Sequence, residues 1–149
     1  MYKKILVPLD GSGLAECVLP HVKAMAKECG TEEVVLLKIV EPAPTWAAED
    51  FDFTAAQTAD ERAAKAYLAK MQAQLSAEGF NVRSEVLIGR PAQTINDFAQ
   101  KNAVDLIVIA THGRSGISRL IFGNVADKLV RSSYVPVLVI RPRGCETDT

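Results

Sequence analysis

The residues best suited to chemistry lie in one glycine-containing stretch that follows a buried apolar run. Gly113 and Gly116 come after the apolar run 106–109, and Gly123 and Asn124 stand where a helical pattern begins. Glycine lets backbone N–H groups approach a ligand closely, and the unpaired N–H groups at a helix N-terminus favour phosphate. The stretch therefore predicts an anion site, although an ordinary βα connection rich in turn residues has the same spacing.

Groups that could catalyse a reaction are few. Histidine occurs only at positions 21 and 112, and no Ser–His–Asp or Cys–His arrangement accompanies either. The glycine stretch has no Walker-type lysine, and no paired acidic cluster for two metal ions is visible. We therefore expect a protein that is not an enzyme, or at most a slow one.

Composition restricts the class of protein and its partners. The 149 residues carry a formal net charge of −1 at pH 7, so no basic field attracts nucleic acid or an anionic membrane. The apolar run 5–7 is too short for a signal peptide, which predicts a cytoplasmic protein. We expect one domain over residues 1–142 and a polar, frayed tail over 143–149.

Strand and helix patterns alternate around the glycine stretch. Short apolar runs predict strands, and apolar residues at steps of three and four predict helices. The predicted strands cover residues 5–9, 34–40, 81–88, 105–109 and 135–140. The predicted helices cover 14–29 and 59–78 and begin again at Pro91 and at Asn124. Pro20 is expected to bend the first helix or to cost it a hydrogen bond, and residues 43–58 are expected to form a long connection.

This alternation predicts a doubly wound, Rossmann-like α/β fold with a five-stranded parallel sheet and helices on both faces. The strand order 3-2-1-4-5 brings the two turn-rich loops, 8–12 and 110–116, to one crevice at the carboxyl ends of the strands. In that order the strand 135–140 lies at an edge although it is strongly apolar. An apolar edge favours pairing with a second copy, so we expect a homodimer through this strand.

Three stretches of the sequence resemble the universal stress protein family. They are YKKILVPLDGS at 2–12, the segment 111–126 that begins THGRSG and ends GNVA, and VPVLV at 135–139. The resemblance runs from residue 1 to about residue 142 and leaves out the connection 43–58. It implies a stress-response protein that binds ATP, with Mg²⁺ held through the phosphates, and that forms a homodimer.

The glycine motif of the family's nucleotide-binding branch is matched in part. In that branch the loop reads Gly, two residues, Gly, nine residues, Gly, and then Ser or Thr. Gly113 and Gly123 match, whereas Ala110 takes the first glycine position and Asn124 the hydroxyl position. Ala110 adds one methyl group, and the Asn124 amide can cap a helix or contact a phosphate without copying a hydroxyl's geometry.

The site residues that the resemblance implies fall into two groups. The group expected to border the adenine base consists of Pro8, Asp10 and Ile39. The group expected to lie against the ribose and phosphates consists of Ala110, Gly113, Arg114, Gly116, Gly123, Asn124 and Val125. Core packing for Pro8 and Ile39, and an Asx-turn for Asp10, remain alternatives that the residue types alone leave open.

Three functions are compatible with the sequence. The resemblance favours an ATP-binding module in which the nucleotide sets conformation or the affinity for a protein partner that the sequence does not identify. Ala110 and Asn124 favour a relative that has lost the nucleotide and acts as a dimeric interaction module. A small α/β enzyme is the third, because a fold does not determine a function.

Overall fold

The computed structural model describes residues 1–42, 53–111 and 124–141. In chain order its elements are β1 (Lys4–Pro8), α1 (Gly13–Glu16), α2 (Leu19–Cys29), β2 (Glu33–Val40), α3 (Phe53–Ala77), β3 (Val82–Ile88), α4 (Pro91–Lys101), β4 (Leu106–Ala110), α5 (Asn124–Ser132) and β5 (Val137–Ile140). In the described ranges, no helix has the length and apolar character needed to cross a membrane.

The five strands form one parallel sheet in the order β3-β2-β1-β4-β5, which confirms the predicted fold class and strand order. β1 lies in the middle, where Ile5 is paired with Val34 of β2 and with Leu106 of β4. Right-handed crossovers place α2 and α3 on one face and α4 and α5 on the other. The winding therefore changes direction between β1 and β4, where doubly wound sheets open a crevice.

Burial explains why the central strands read as continuous apolar runs. Ile5, Leu6 and Val7 have no exposed surface, and every residue of β4 is buried. Because successive side chains point to opposite faces of a strand, burial of all of them requires helices on both faces. The edge strands differ, since β3 is mostly half-buried and only Ile140 is buried in β5.

The first predicted helix is two helices, and Pro20 lies at the start of the second one and not inside a continuous helix. α1 ends at Glu16, and α2 begins at Leu19 with Pro20 in its first turn. Proline is tolerated there because the first N–H groups of a helix have no intrahelical acceptor. Pro20 therefore marks a helix start. α2 ends as expected at Gly30, whose φ of 61° is left-handed and whose N–H donates to the Ala26 carbonyl.

Further boundary differences concern β5, which begins at Val137 and not at Val135, and the long connection expected over 43–58. α3 begins at Phe53, so the last residues of that segment are helical, while residues 43–52 lie outside the described residues. Alanine and glutamine in 53–58 are good helix formers and extend the helix without contributing to its apolar stripe. The polar tail and residues 112–123 of the glycine stretch also lie outside the described residues.

Candidate functional site

A cavity of about 590 Å³ lies at the carboxyl ends of β1 and β2, beside the point where the winding reverses. Its volume falls within the range of small-molecule sites, about 300–1,000 Å³. The described lining comes from residues 8–11, residues 37–41, four α3 residues (Asp60, Ala63, Ala64 and Tyr67) and three residues of α4 and α5 (Pro91, Ile95 and Val125). The sheet supplies the floor, and helices from both faces supply the walls.

The loop between β1 and α1 is held by its own hydrogen bonds. The Ser12 N–H donates to Asp10 Oδ1 at 2.8 Å, which closes an Asx-turn. The Ala15 N–H donates to Ser12 Oγ at 3.1 Å, so Ser12 caps the start of α1. Gly11 between them has a φ of 89°, a conformation that favours glycine. The Asp10 carboxyl is therefore fixed in position at the cavity wall.

The second oxygen of the Asp10 carboxyl is a buried polar atom in the cavity wall. Oδ2 is buried and accepts no hydrogen bond from any of the described residues. A buried acceptor without a donor is costly, and the cost is larger for a charged group. Because Asp10 lines the cavity, a ligand that offers an N–H or O–H group there would satisfy this oxygen.

A hydrogen bond between two helices holds the α3 wall. Tyr67 Oη donates to Glu16 Oε2 at 2.8 Å and so joins α3 to α1. Burial raises the pKa of the Tyr67 hydroxyl above its ordinary value, and the hydrogen bond to Glu16 and the charges of Glu16 and Asp10 act in the same direction. Tyr67 therefore remains a neutral donor at physiological pH.

Charge is unevenly distributed around the cavity. Asp10, Glu41 and Asp60 bring three carboxylates to the described lining, and Lys38 brings one ammonium group. The Lys38 stem lies beside the β1–α1 loop, because a Cβ on Gly11 would be 3.8 Å from Lys38 Cε. The described lining therefore carries more negative than positive groups, which disfavours the phosphates of a ligand beside the carboxylates.

The residues predicted for the base end meet in this cavity, together with one from the phosphate end. Pro8, Asp10, Ile39 and Val125 all line it. Ala110 is buried at the end of β4, with 3% of its surface exposed, and is not part of the described lining.

Asn124 is exposed as the first residue of α5 and lines a groove that adjoins the cavity. The remaining predicted residues lie outside the described residues: Gly113, Arg114, Gly116 and Gly123.

The residues that α3 contributes to the cavity were not predicted from the sequence. Tyr67 reads as a member of the helix's apolar stripe, and its ring does pack against the core. A tyrosine in such a stripe needs a partner for its hydroxyl, which was the available signal of a polar contact at the wall. Ala63 and Asp60 carry no comparable signal, because exposed helix positions accept alanine and aspartate for many reasons.

The universal stress protein family model matches residues 1–141. The chain belongs to this family. Two curated relatives come from Methanocaldococcus jannaschii: universal stress protein MJ0531 is 32% identical over 95% of this chain and 83% of its own length. Universal stress protein MJ0577 is 30% identical over 97% of this chain and 98% of its own length.

Solved structures of the family have the same fold. The MJ0577 structure has a TM-score of 0.77 at 33% identity and covers 95% of this chain and 96% of that one. UspA from Lactobacillus plantarum has a TM-score of 0.80 at 25% identity, with 94% and 98% covered. The resemblance predicted from the three sequence stretches is therefore confirmed, and so is the α/β architecture.

Proposed function

We propose that this universal stress protein binds ATP in the cavity between α3 and the β1–α1 loop, and that the nucleotide regulates a stress-response module. The observation that carries the proposal is the buried Asp10 Oδ2, to which no described residue donates, in the wall of a cavity of about 590 Å³. Two solved proteins of this fold hold adenine nucleotides, one with cAMP and one from Arabidopsis thaliana with AMP. Their identities to this chain are 18% and 16%, so they indicate that the fold can hold an adenine nucleotide and assign no role to any residue of this chain.

The base end of the nucleotide fits the acidic, partly apolar end of the cavity. Asp10 Oδ2 can accept a hydrogen bond from the exocyclic amine of adenine or from a ribose hydroxyl. Pro8 and Ile39 supply apolar contacts for the base. A buried acceptor discriminates strongly against an analogue that lacks the matching donor, because the acceptor is then left unpaired.

The phosphates in this proposal point away from Asp10 and toward the start of α5. Asn124 and Val125 form the first turn of that helix, whose unpaired N–H groups favour an anion. Mg²⁺ would be bound by the phosphates and would complete its coordination with water. Asp10 lies at the base end in this arrangement, and no described residue is assigned to position a water molecule at the terminal phosphate. We therefore expect little or no hydrolysis.

The position of Ala110 leaves the nucleotide-free alternative open. Its side chain is buried in the sheet, where Ala110 is paired with Ile140, and it does not line the described cavity. The methyl group that departs from the family motif therefore does not occupy the volume assigned to the base. Its effect on the ribose and phosphates is decided by the ATP measurements below.

We also infer a homodimer built on β5. This strand lies at the sheet edge, and Val137, Leu138 and Val139 are only half-buried. Exposed apolar edge strands are normally covered or blunted by charge. Antiparallel pairing with the β5 strand of a second copy would satisfy the free backbone groups and bury these side chains in a self-complementary interface.

A pocket-filling substitution tests the nucleotide site. Ala63 lines the cavity from α3, so Ala63→Phe places a ring in the volume assigned to ATP. Ala69→Phe is the matched control, because Ala69 is exposed on the same helix and outside the lining. ATP at 100 times its dissociation constant should add about 2.7 kcal/mol to the free energy of unfolding.

Melting curves with and without ATP–Mg²⁺ measure this gain in stability. The wild type and Ala69→Phe should both be stabilised, and Ala63→Phe should not. Equal stabilisation of all three proteins would place the nucleotide elsewhere. Stabilisation of none would support the nucleotide-free interaction module.

A further inference from the structure

An open groove of about 970 Å³ runs between α4 and α5 and adjoins the ATP cavity. The two share Glu41, Pro91 and Val125 in their linings. The groove follows α5 from Asn124 to Ser132 and reaches Tyr134 beyond the helix. Nine helical residues span roughly 12 Å, so the groove extends well past the start of α5, where the phosphates of ATP are proposed to lie.

The sign of the charge changes between the cavity and the groove. The groove lining contains Arg90, Lys128 and Arg131 against Glu41 and Asp97, whereas three carboxylates face one lysine in the cavity. Arg131 Nη2 lies 3.4 Å from Asp127 Oδ2. Among the described residues, Arg90 and Lys128 form no ion pair. Two cations are therefore available to phosphates that continue out of the cavity.

An exposed aromatic ring stands at the far end of the groove. Tyr134 is 85% exposed, and its hydroxyl forms no hydrogen bond with the rest of the described chain. Between this ring and the cavity, Asn96 Nδ2 donates to Ser132 Oγ at 2.8 Å and links the two helices. An aromatic ring beside a cationic track is the arrangement on which nucleobases stack in nucleic-acid grooves.

We propose that the groove binds the second half of a dinucleoside polyphosphate, an inference that rests on the proposed ATP site. The first nucleoside would occupy the cavity, the phosphates would pass Arg90 and Lys128, and the second base would stack on Tyr134. A mononucleotide ends near Asn124 and leaves the ring and both cations unused. The groove thus selects for nucleotides that carry a second nucleoside on the terminal phosphate.

Titration of the full-length protein with diadenosine tetraphosphate and with ATP tests the proposal. The wild type should bind the dinucleotide about tenfold more tightly than ATP, an effect expected of one added stacking contact. Tyr134→Ala should remove this preference and leave ATP affinity unchanged, whereas Tyr134→Phe keeps the ring and should keep the preference. Lys128→Ala should also weaken the dinucleotide selectively, and Lys70→Ala, on exposed α3 surface, should not.

Three outcomes would overturn the inference, and they are distinguishable. Equal wild-type affinities for the two ligands would show that the groove adds nothing, with the ATP site intact. A preference that survives in Tyr134→Ala would remove the stacking site. If Tyr134→Ala sediments as a smaller species and loses both ligands together, the ring belongs to a dimer interface. Failure of the wild type to bind ATP would instead refute the proposed function.

Discussion

Removal of one hydroxyl, in Tyr67→Phe, tests whether α3 is fastened to α1 by the contact with Glu16. The wild-type bond is 2.8 Å long and joins residues 51 positions apart. Hydrogen bonds to charged groups contribute about 1.5–3 kcal/mol to stability. Glu16 is half-buried and can regain water when the hydroxyl is lost, so we expect the lower end, about 1.5 kcal/mol. In a chain of this length, that loss lowers the melting temperature by roughly 3–6 °C.

The pH dependence of the difference in unfolding free energy between the wild type and Tyr67→Phe is a second test of this contact. The folded pKa of Tyr67 lies above the value near 10 of an unfolded tyrosine. The stabilisation is therefore complete below pH 10 and is lost as the pH rises above it, by about 1.4 kcal/mol for each pH unit. Near pH 11 the wild type and Tyr67→Phe should have nearly equal free energies of unfolding.

Urea unfolding at pH 7 and at alkaline pH measures both effects. Tyr134→Phe is the matched control, because it removes a hydroxyl from a ring that is 85% exposed and should change stability by less than about 0.5 kcal/mol. Equal stability of Tyr67→Phe and Tyr134→Phe at pH 7 would refute the proposed anchoring. A difference that persists at pH 11 would show that the Tyr67 pKa is not raised.

Two further predictions concern the interface and the glycine stretch. Leu138→Lys or Val139→Lys places charge on the β5 edge and should shift the protein from dimer toward monomer in sedimentation velocity, with ATP affinity retained. A wild type that sediments as a monomer at tens of micromolar, a concentration at which ordinary weak dimers form, would contradict the dimer. Gly113→Val should abolish ATP binding, because a branched side chain blocks the close approach of the backbone to phosphate. The circular dichroism spectrum should be preserved. Wild-type ATP affinity in Gly113→Val would exclude residue 113 from the site.

The sheet was predictable because each strand has two signals in the sequence, an apolar run and the turn residues that follow it. Apolar runs such as 5–7 and 106–109 can be buried only between two layers of helices, and turn residues follow each run. The strand order followed from a requirement that the loops after β1 and β4 leave neighbouring strands, and β1 and β4 are neighbours in the sheet. Local periodicity and the commonest doubly wound order were sufficient for this part of the fold.

Helix boundaries and cavity walls were less predictable, for different reasons. Pro20 fits a bend and a new helix start equally well in the sequence, and only packing on the sheet separates the two. α3 begins at Phe53, where residues 53–58 show no apolar periodicity that would have indicated a helix. Tyr67 meets Glu16 through tertiary contact between helices 51 residues apart, and no local pattern encodes that distance.

ATP binding in the cavity at the ends of β1 and β2 is the property on which the other proposals depend. Titration calorimetry of nucleotide-stripped wild-type protein with ATP–Mg²⁺ measures it. The proposal predicts saturable binding of one ATP per chain, which Ala63→Phe abolishes and Ala69→Phe retains. Absence of heat up to millimolar ATP, together with no nucleotide released by denaturing the freshly purified protein in mass spectrometry, would contradict the proposal.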